Sequence, residues 1–222
     1  MKLQEIRSEQ EELLKNPGAV EIVRVSDVAK YFIPDWATGS KESRNKGTAK
    51  HEEVEEEAET ISKDELWEQI EADDGIFPEF LIRAKSPSDS EVVLSGKIDM
   101  VCFKEGKPVL VLERKFPNPR NLYTVYESEK VQAYTYCLML DQAGFDTSDL
   151  KYCILKMDRD TPQDARRAFD ARLIHEVRNR VPDSTPRWCS EFSYDCKMHL
   201  RPYKRSRLME DFEQALKYEL TD

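Results

Sequence analysis

Hydrophobic residues recur along the chain at two periods. Near the N-terminus Leu3, Ile6, Leu13 and Leu14 stand at helical spacing on a charged background, which predicts an amphipathic helix that stops before "NPG" at 16–18. "VSDVAKYF" at 25–32 predicts a second helix with Ser26 as its N-cap, and "IPDWATGSKESRNKG" at 33–47 a loop. From His51 to Ala72 the chain is acidic and lacks Gly and Pro. It reads as one or two helices with Val54, Ile61, Leu66, Trp67 and Ile70 as apolar contacts, closed by "DDG" at 73–75. The period then shortens. "FPEFLIRA", "SEVVLSGKIDMVCF" and "KPVLVLERKF" are three β-rich stretches separated by the turn-like "KSPSDS" and "KEGK".

Helical character returns from Thr124 to Leu140, followed by a fourth strand in "DLKYCILKM". "TPQDARRAFDARLIHEVRNRV" predicts a helix with Thr161 as N-cap and Pro162 in its first position. The tail from Val181 is mixed in character, with a last helix near Leu208 to Leu220. Helix, three strands, helix, strand, helix is the order of an α/β chain with a sheet flanked by helices. There are no internal repeats. We expect a single domain over 1–222: an N-terminal segment 1–50, a core 51–180 and a C-terminal segment 181–222 that packs on it.

Composition narrows this picture. Of 222 residues 39% are hydrophobic and 35% charged, enough apolar surface to bury a core. The net charge of −10 means that a polyanionic partner would have to be met by a local basic surface. No run of about 18 apolar residues is present to span a bilayer, and "MKLQEIRSEQEELLK" lacks the apolar core of a signal peptide, so we expect a cytoplasmic protein without a membrane partner. The acidic segment 51–72 suits either solvent or a second copy in a homo-oligomer. Five cysteines are an odd number, and Cys102, Cys137 and Cys153 fall in apolar runs as buried free thiols.

Charges inside the strands are the exception to the pattern. In "VLVLERK", Glu113 and Lys115 are two apart and leave the same face, while Arg114 points to the other. A hairpin through "KEGK" brings Asp99 beside Glu113. Two converging carboxylates suit a hard divalent cation such as Mg²⁺. A lysine beside them would orient an attacking water while the cation stabilises charge on a phosphoryl oxygen. Spacing alone leaves a plain salt bridge of Lys115 with Asp99 or Glu113 equally open. His51, taken alone more simply a surface histidine, would at this site add a nitrogen ligand that admits Mn²⁺. Gln132 and Tyr136, four apart, share one helix face just after the "ERK" strand.

Taken together, His51 at a helix start, "GKID", an apolar strand ending in "LERK" and a helix carrying "QAYTY" resemble the RecB-like branch of the PD-(D/E)xK nucleases. Within it the likeness is to the fourth family of CRISPR-associated proteins and its archaeal and viral relatives, over roughly residues 25–200. The resemblance implies a restriction-endonuclease-like α/β core. It implies a DNA nuclease dependent on Mg²⁺ or Mn²⁺, acting on single-stranded DNA as an exonuclease with accompanying endonuclease activity. His51, Asp99 and Glu113 would be metal ligands, joined by the backbone carbonyl of Arg114. Lys115 would be the catalytic lysine, with Gln132 and Tyr136 positioning it or the DNA, and Glu79 an additional acid.

The same family often carries four cysteines around an iron–sulfur cluster. Here Ile33 stands in one cysteine's place and Phe192 where another would fall, leaving Cys189 and Cys196, so no cluster is expected. The two would remain packed thiols, a relic pair or a disulfide. Basic residues gather in "RRAFDARLIHEVRNR" and in "RPYKRSR". Tyr203 in the latter suits stacking with single-stranded nucleic acid, although Arg166, Arg167 and Arg172 equally suit a solvated helix face. His175 and His199 lack metal-ligand spacing. The alternative to an enzyme is a catalytically inactive DNA-binding or scaffold protein on a nuclease fold.

Overall fold

The computed structural model describes residues 3–18, 21–33, 63–71, 74–117, 119–192 and 196–221. Their elements are helix α1 (Leu3–Lys15), strand β1 (Glu21–Arg24), α2 (Val25–Lys30), α3 (Lys63–Glu71), β2 (Asp74–Lys85), β3 (Val92–Lys104) and β4 (Lys107–Lys115). A short 3₁₀ turn (Pro119–Asn121) leads to α4 (Glu127–Gln142), β5 (Lys151–Met157), α5 (Gln163–Asn179), α6 (Cys189–Phe192), β6 (Cys196–Pro202) and α7 (Met209–Glu219).

The six strands form one mixed sheet. β2 runs antiparallel along the whole of β3. The other edge of β3 is shared: β1 pairs in parallel with Val92–Ser95, and β4 pairs antiparallel with Met100–Lys104. β5 lies parallel to β4 and β6 antiparallel to β5. β4, α4 and β5 make the strand–helix–strand crossover that parallel neighbours require.

Alternation splits the strand side chains between two cores. Val101, Val111, Tyr152 and Ile154 face α4, α2 and α7, whereas Leu110, Leu112, Cys153 and Leu155 face Phe169, Leu173 and Val177 of α5, with Trp188 beside them. α4 is apolar nearly all round, with buried residues from Val131 to Leu140, so it is a buried helix laid across the sheet. The result is an α/β fold with a central mixed sheet between helices, compatible with the restriction-endonuclease-like core expected. Among the described residues no helix is long and apolar enough to cross a membrane.

Several local expectations are corrected. β1 and β6 carry too little pattern to be legible in the chain: β1 has four residues, and β6 alternates only through Met198 and Leu200 amid Lys and Arg. Asp74 and Gly75 begin β2 instead of closing a helix, because they pair with Lys104 and Phe103. Ser26 lies inside α2, whose N-cap is Arg24. Thr161 is likewise not an N-cap, since its N–H bonds Asp158 in a turn and Pro162 takes that place. Tyr203 is buried against Tyr134 with its hydroxyl on Asp141, so it offers no free face for a base. Cys102, Cys137, Cys153 and Cys189 are buried free thiols and Cys196 is a partly exposed one.

Candidate functional site

The charged residues of β3 and β4 meet where the sheet forks. On the shared edge of β3, β1 ends at Ser95 and β4 begins at Met100. Among the described residues no strand pairs with Gly96 to Asp99 there. β4 arrives through a two-residue turn, Glu105 and Gly106, with φ of +53° and +69°, the left-handed pair of a tight hairpin. A bulge between Cys102 and Phe103 then shifts the register by one residue, so that Met100 faces Leu112. The next pair outward is Asp99 and Glu113. Without that shift Asp99 would face Leu112, and Glu113 would point to the opposite core.

Regular pairing stops at this point because Asp99 replaces it. Its Oδ2 accepts the backbone N–H of Arg114 at 2.6 Å. The Arg114 side chain leaves by the other face, where it donates to the Asp99 carbonyl at 3.4 Å and pairs with Asp170 of α5 at 3.1 Å. Main chain and side chain of Arg114 thus hold Asp99 from both faces.

Glu113 is 2% exposed. Its Oε1 accepts from Lys115 Nζ at 2.6 Å, while Oε2 is buried without a hydrogen-bond partner. Burial, and then repulsion from Asp99, push the carboxyl from its ordinary 4.5 up to about 8 against the pull of Lys115. Burial alone would lower the Lys115 ammonium. Glu113 and Asp99 outweigh it and hold the group above its usual range. Lys115 also donates to Gln132 Oε1 at 3.0 Å, and Gln132 Nε2 lies 3.4 Å from the Tyr136 hydroxyl. Burial first, then the Glu113 charge, raise Tyr136 well above an ordinary phenol, so its hydroxyl stays a donor.

Gly96 makes room for this chain of contacts. A Cβ there would lie 2.6 Å from Tyr136 Cε1 and 2.9 Å from Val25 Cγ2, so the Tyr136 ring rests directly on the β3 backbone. Glu79, opposite Asp99 on β2, has a left-handed φ of +57°, a strain of about 1 kcal/mol for a residue with a side chain. It forms an ion pair with Lys97 at 2.8 Å, and its charge adds to those acting on Tyr136.

Asp99, Glu113, Lys115, Gln132 and Tyr136 are therefore brought together, with Arg114 behind Asp99 and Glu79 at the side. His51 lies outside the described residues. Among those described, no three His, Cys, Asp or Glu side chains gather closely enough to hold a metal. The two-carboxylate set nevertheless suits a hard cation, because a buried carboxylate oxygen lacking any donor is the acceptor that a cation would satisfy.

A titration follows from the raised carboxyl. The folded state keeps the Glu113 proton at pH values where the unfolded chain has lost it. The stability this group contributes is complete below 4.5 and drains away as the pH rises through about 8. In EDTA, the stability difference between wild type and Glu113→Gln should therefore shift in the variant's favour from pH 5 to 8, as read from urea midpoints. Parallel profiles would refute the raised carboxyl.

Sequence reasoning missed Gly96, Asp170 and a second buried cation, Lys156. Their roles depend on contacts across the fold, not on spacing along the chain. No family model matches the chain, and no curated protein matches it. Among solved structures, the crystal structure of SSO0001 superposes over 97% of this chain and 84% of that one, at 10% identity and a TM-score of 0.43. A similarity at that level carries no conclusion about activity.

Proposed function

We propose that this chain is a divalent-metal-dependent nuclease that hydrolyses phosphodiester bonds, with single-stranded DNA as substrate. The observation that supports it most is the unbonded Oε2 of Glu113, buried beside a second carboxylate. As a structural salt bridge this arrangement is poor, since it leaves a buried acceptor unmet and sets like charges together. As half of a cation site it is apt.

Asp99 and Glu113 would hold the cation, with the Arg114 carbonyl and His51 as the further ligands that the family resemblance suggests. The bound cation would supply Lewis-acid stabilisation of charge on the phosphoryl oxygens and acidify the attacking water. The rest belongs to the side chains. Lys115 has three N–H donors and spends two on Glu113 and Gln132, which leaves one for a water or a phosphate oxygen. Gln132 fixes the direction of that donor, and Tyr136 offers a hydroxyl proton alongside.

End-labelled single- and double-stranded DNA and RNA, incubated with the protein in Mg²⁺, Mn²⁺ or EDTA, test the reading. Cleavage of single-stranded DNA should appear with either metal and vanish in EDTA. Absence of cleavage in every condition would favour a non-catalytic binding protein on this fold.

A further inference from the structure

On the sheet face that carries Glu113, a row of residues continues across the strands: Glu113 is in register with Ile154, and Ile154 with His199. Strands lie about 4.8 Å apart, so His199 is roughly 10 Å from Glu113. Beside it opens a cleft of about 280 Å³ lined by Val125, Glu127, Lys130, Ile154, Arg201 and Arg207, among others.

The charge of this cleft runs against that of the chain. The protein carries −10 overall, yet here Lys130, Arg201 and Arg207 face one carboxylate, Glu127, which Lys130 already pairs at 2.6 Å. Among the described residues the Arg201 guanidinium donates to the Leu200 carbonyl, and neither Arg201 nor Arg207 has a carboxylate partner. Both charges reach the floor: burial pushes the Tyr152 hydroxyl up, while Arg207 and Arg201 pull it down. Unpaired guanidiniums in a concave site match phosphate oxygens in geometry and charge.

A second feature adjoins the cleft. The segment between β4 and α4 contributes Val125 to its lining and carries two exposed aromatics, Tyr123 at 70% and Tyr126 at 41%. Lys156 covers one face of Tyr126, so Tyr123 is the more open platform. An open aromatic two residues along the chain from the wall of a cleft that carries unpaired cations is the combination that grips single strands, whose bases are free to stack, in preference to duplex.

We propose that this cleft holds phosphates of a single-stranded nucleic acid whose neighbouring base stacks on Tyr123, on the path that leads the strand to Glu113 and Lys115. The path rests on the nuclease reading; the binding site does not. Fluorescence anisotropy in EDTA, with a labelled single-stranded oligonucleotide and its duplex, tests it on the full chain. Arg201→Ala/Arg207→Ala should weaken single-strand binding about tenfold or more. It should also lower the slope of log affinity against log salt by about 1.4, for two phosphate contacts. Tyr123→Ala should weaken single-strand binding about tenfold while leaving duplex binding unchanged. Thermal midpoints check that the variants remain folded. Wild-type affinity and salt slope in the double variant would overturn the cleft even if the protein cuts DNA. Weakened binding in that variant would uphold the cleft even if no cleavage is ever observed. Failure of the wild type to bind any single strand would overturn it outright.

Discussion

Asp99→Asn should lower metal-dependent cleavage about a thousandfold, the several kcal/mol that a bound cation supplies, and should also make the metal-free protein more stable. The two effects share one cause. The asparagine carbonyl can still accept the Arg114 N–H, so the frame that holds β3 and β4 survives. What disappears is the negative charge that repels Glu113; the same charge attracts Lys115, so the gain is read above a pH of about 8, where Glu113 is ionised and the repulsion is complete. Relief of about 1 kcal/mol corresponds to a thermal midpoint higher by roughly 2–4 °C in a chain of this size. Metal reverses the ranking. Wild type should gain about 2.7 kcal/mol at a Mn²⁺ concentration a hundredfold above its dissociation constant, whereas the variant gains little. Melting curves with and without Mn²⁺, set beside cleavage rates, check both halves. If Asp99→Asn melts below wild type in EDTA, then Asp99, Glu113 and Lys115 form a structural ion cluster and the proposed site fails.

Part of this geometry could be read from the chain. Period-two alternation is enough to send Glu113 and Lys115 to one face and Arg114 to the other, because a strand end obeys it whatever surrounds the strand. Helical spacing likewise sets Gln132 and Tyr136 on one side of α4. The meeting of Asp99 with Glu113 was harder. Counting back from the turn at Glu105 and Gly106 comes out right only because a bulge at Cys102/Phe103 adds a residue, and nothing in "VCFKEGKPVLV" announces it. Gly96 reads as an ordinary strand glycine until the Tyr136 ring is laid against it. Tyr203, among cations in "RPYKRSR", suggested a stacking residue but is buried at the start of the chain's return to α7. Exposed Tyr123 lies in a loop that alternation cannot describe. Local periodicity fixes faces, whereas partners across the fold depend on register and packing, which the periodicity leaves open.

A second buried lysine shows what a structural pair on this sheet looks like. Lys156 lies in register with Lys115, one strand over, and is fully buried. Its three N–H donors meet three acceptors: the carbonyls of Asn121 and Thr124, and Glu129 Oε2 at 2.8 Å. Glu129 in turn accepts the Tyr126 N–H at 2.9 Å and closes the first turn of α4. The group thus ties the segment before α4 to β5, and through α4 it supports Gln132 and Tyr136. Lys156→Met removes the charge while keeping most of the volume. It should cost about 3–5 kcal/mol, because the Glu129 carboxylate is left buried without its cation. The thermal midpoint should fall by roughly 10 °C. Adding Glu129→Gln should recover part of the loss, giving a double variant more stable than the sum of the singles predicts. Urea and thermal denaturation of the four proteins would settle the comparison, and a Lys156→Met variant as stable as wild type would contradict it. Two lysine–glutamate pairs thus stand side by side, and the expected responses are opposite. Breaking the satisfied pair at Lys156 should destabilise the protein, whereas removing charge beside the unsatisfied pair at Glu113 should stabilise it. That is the behaviour of a site built to be completed by something it binds.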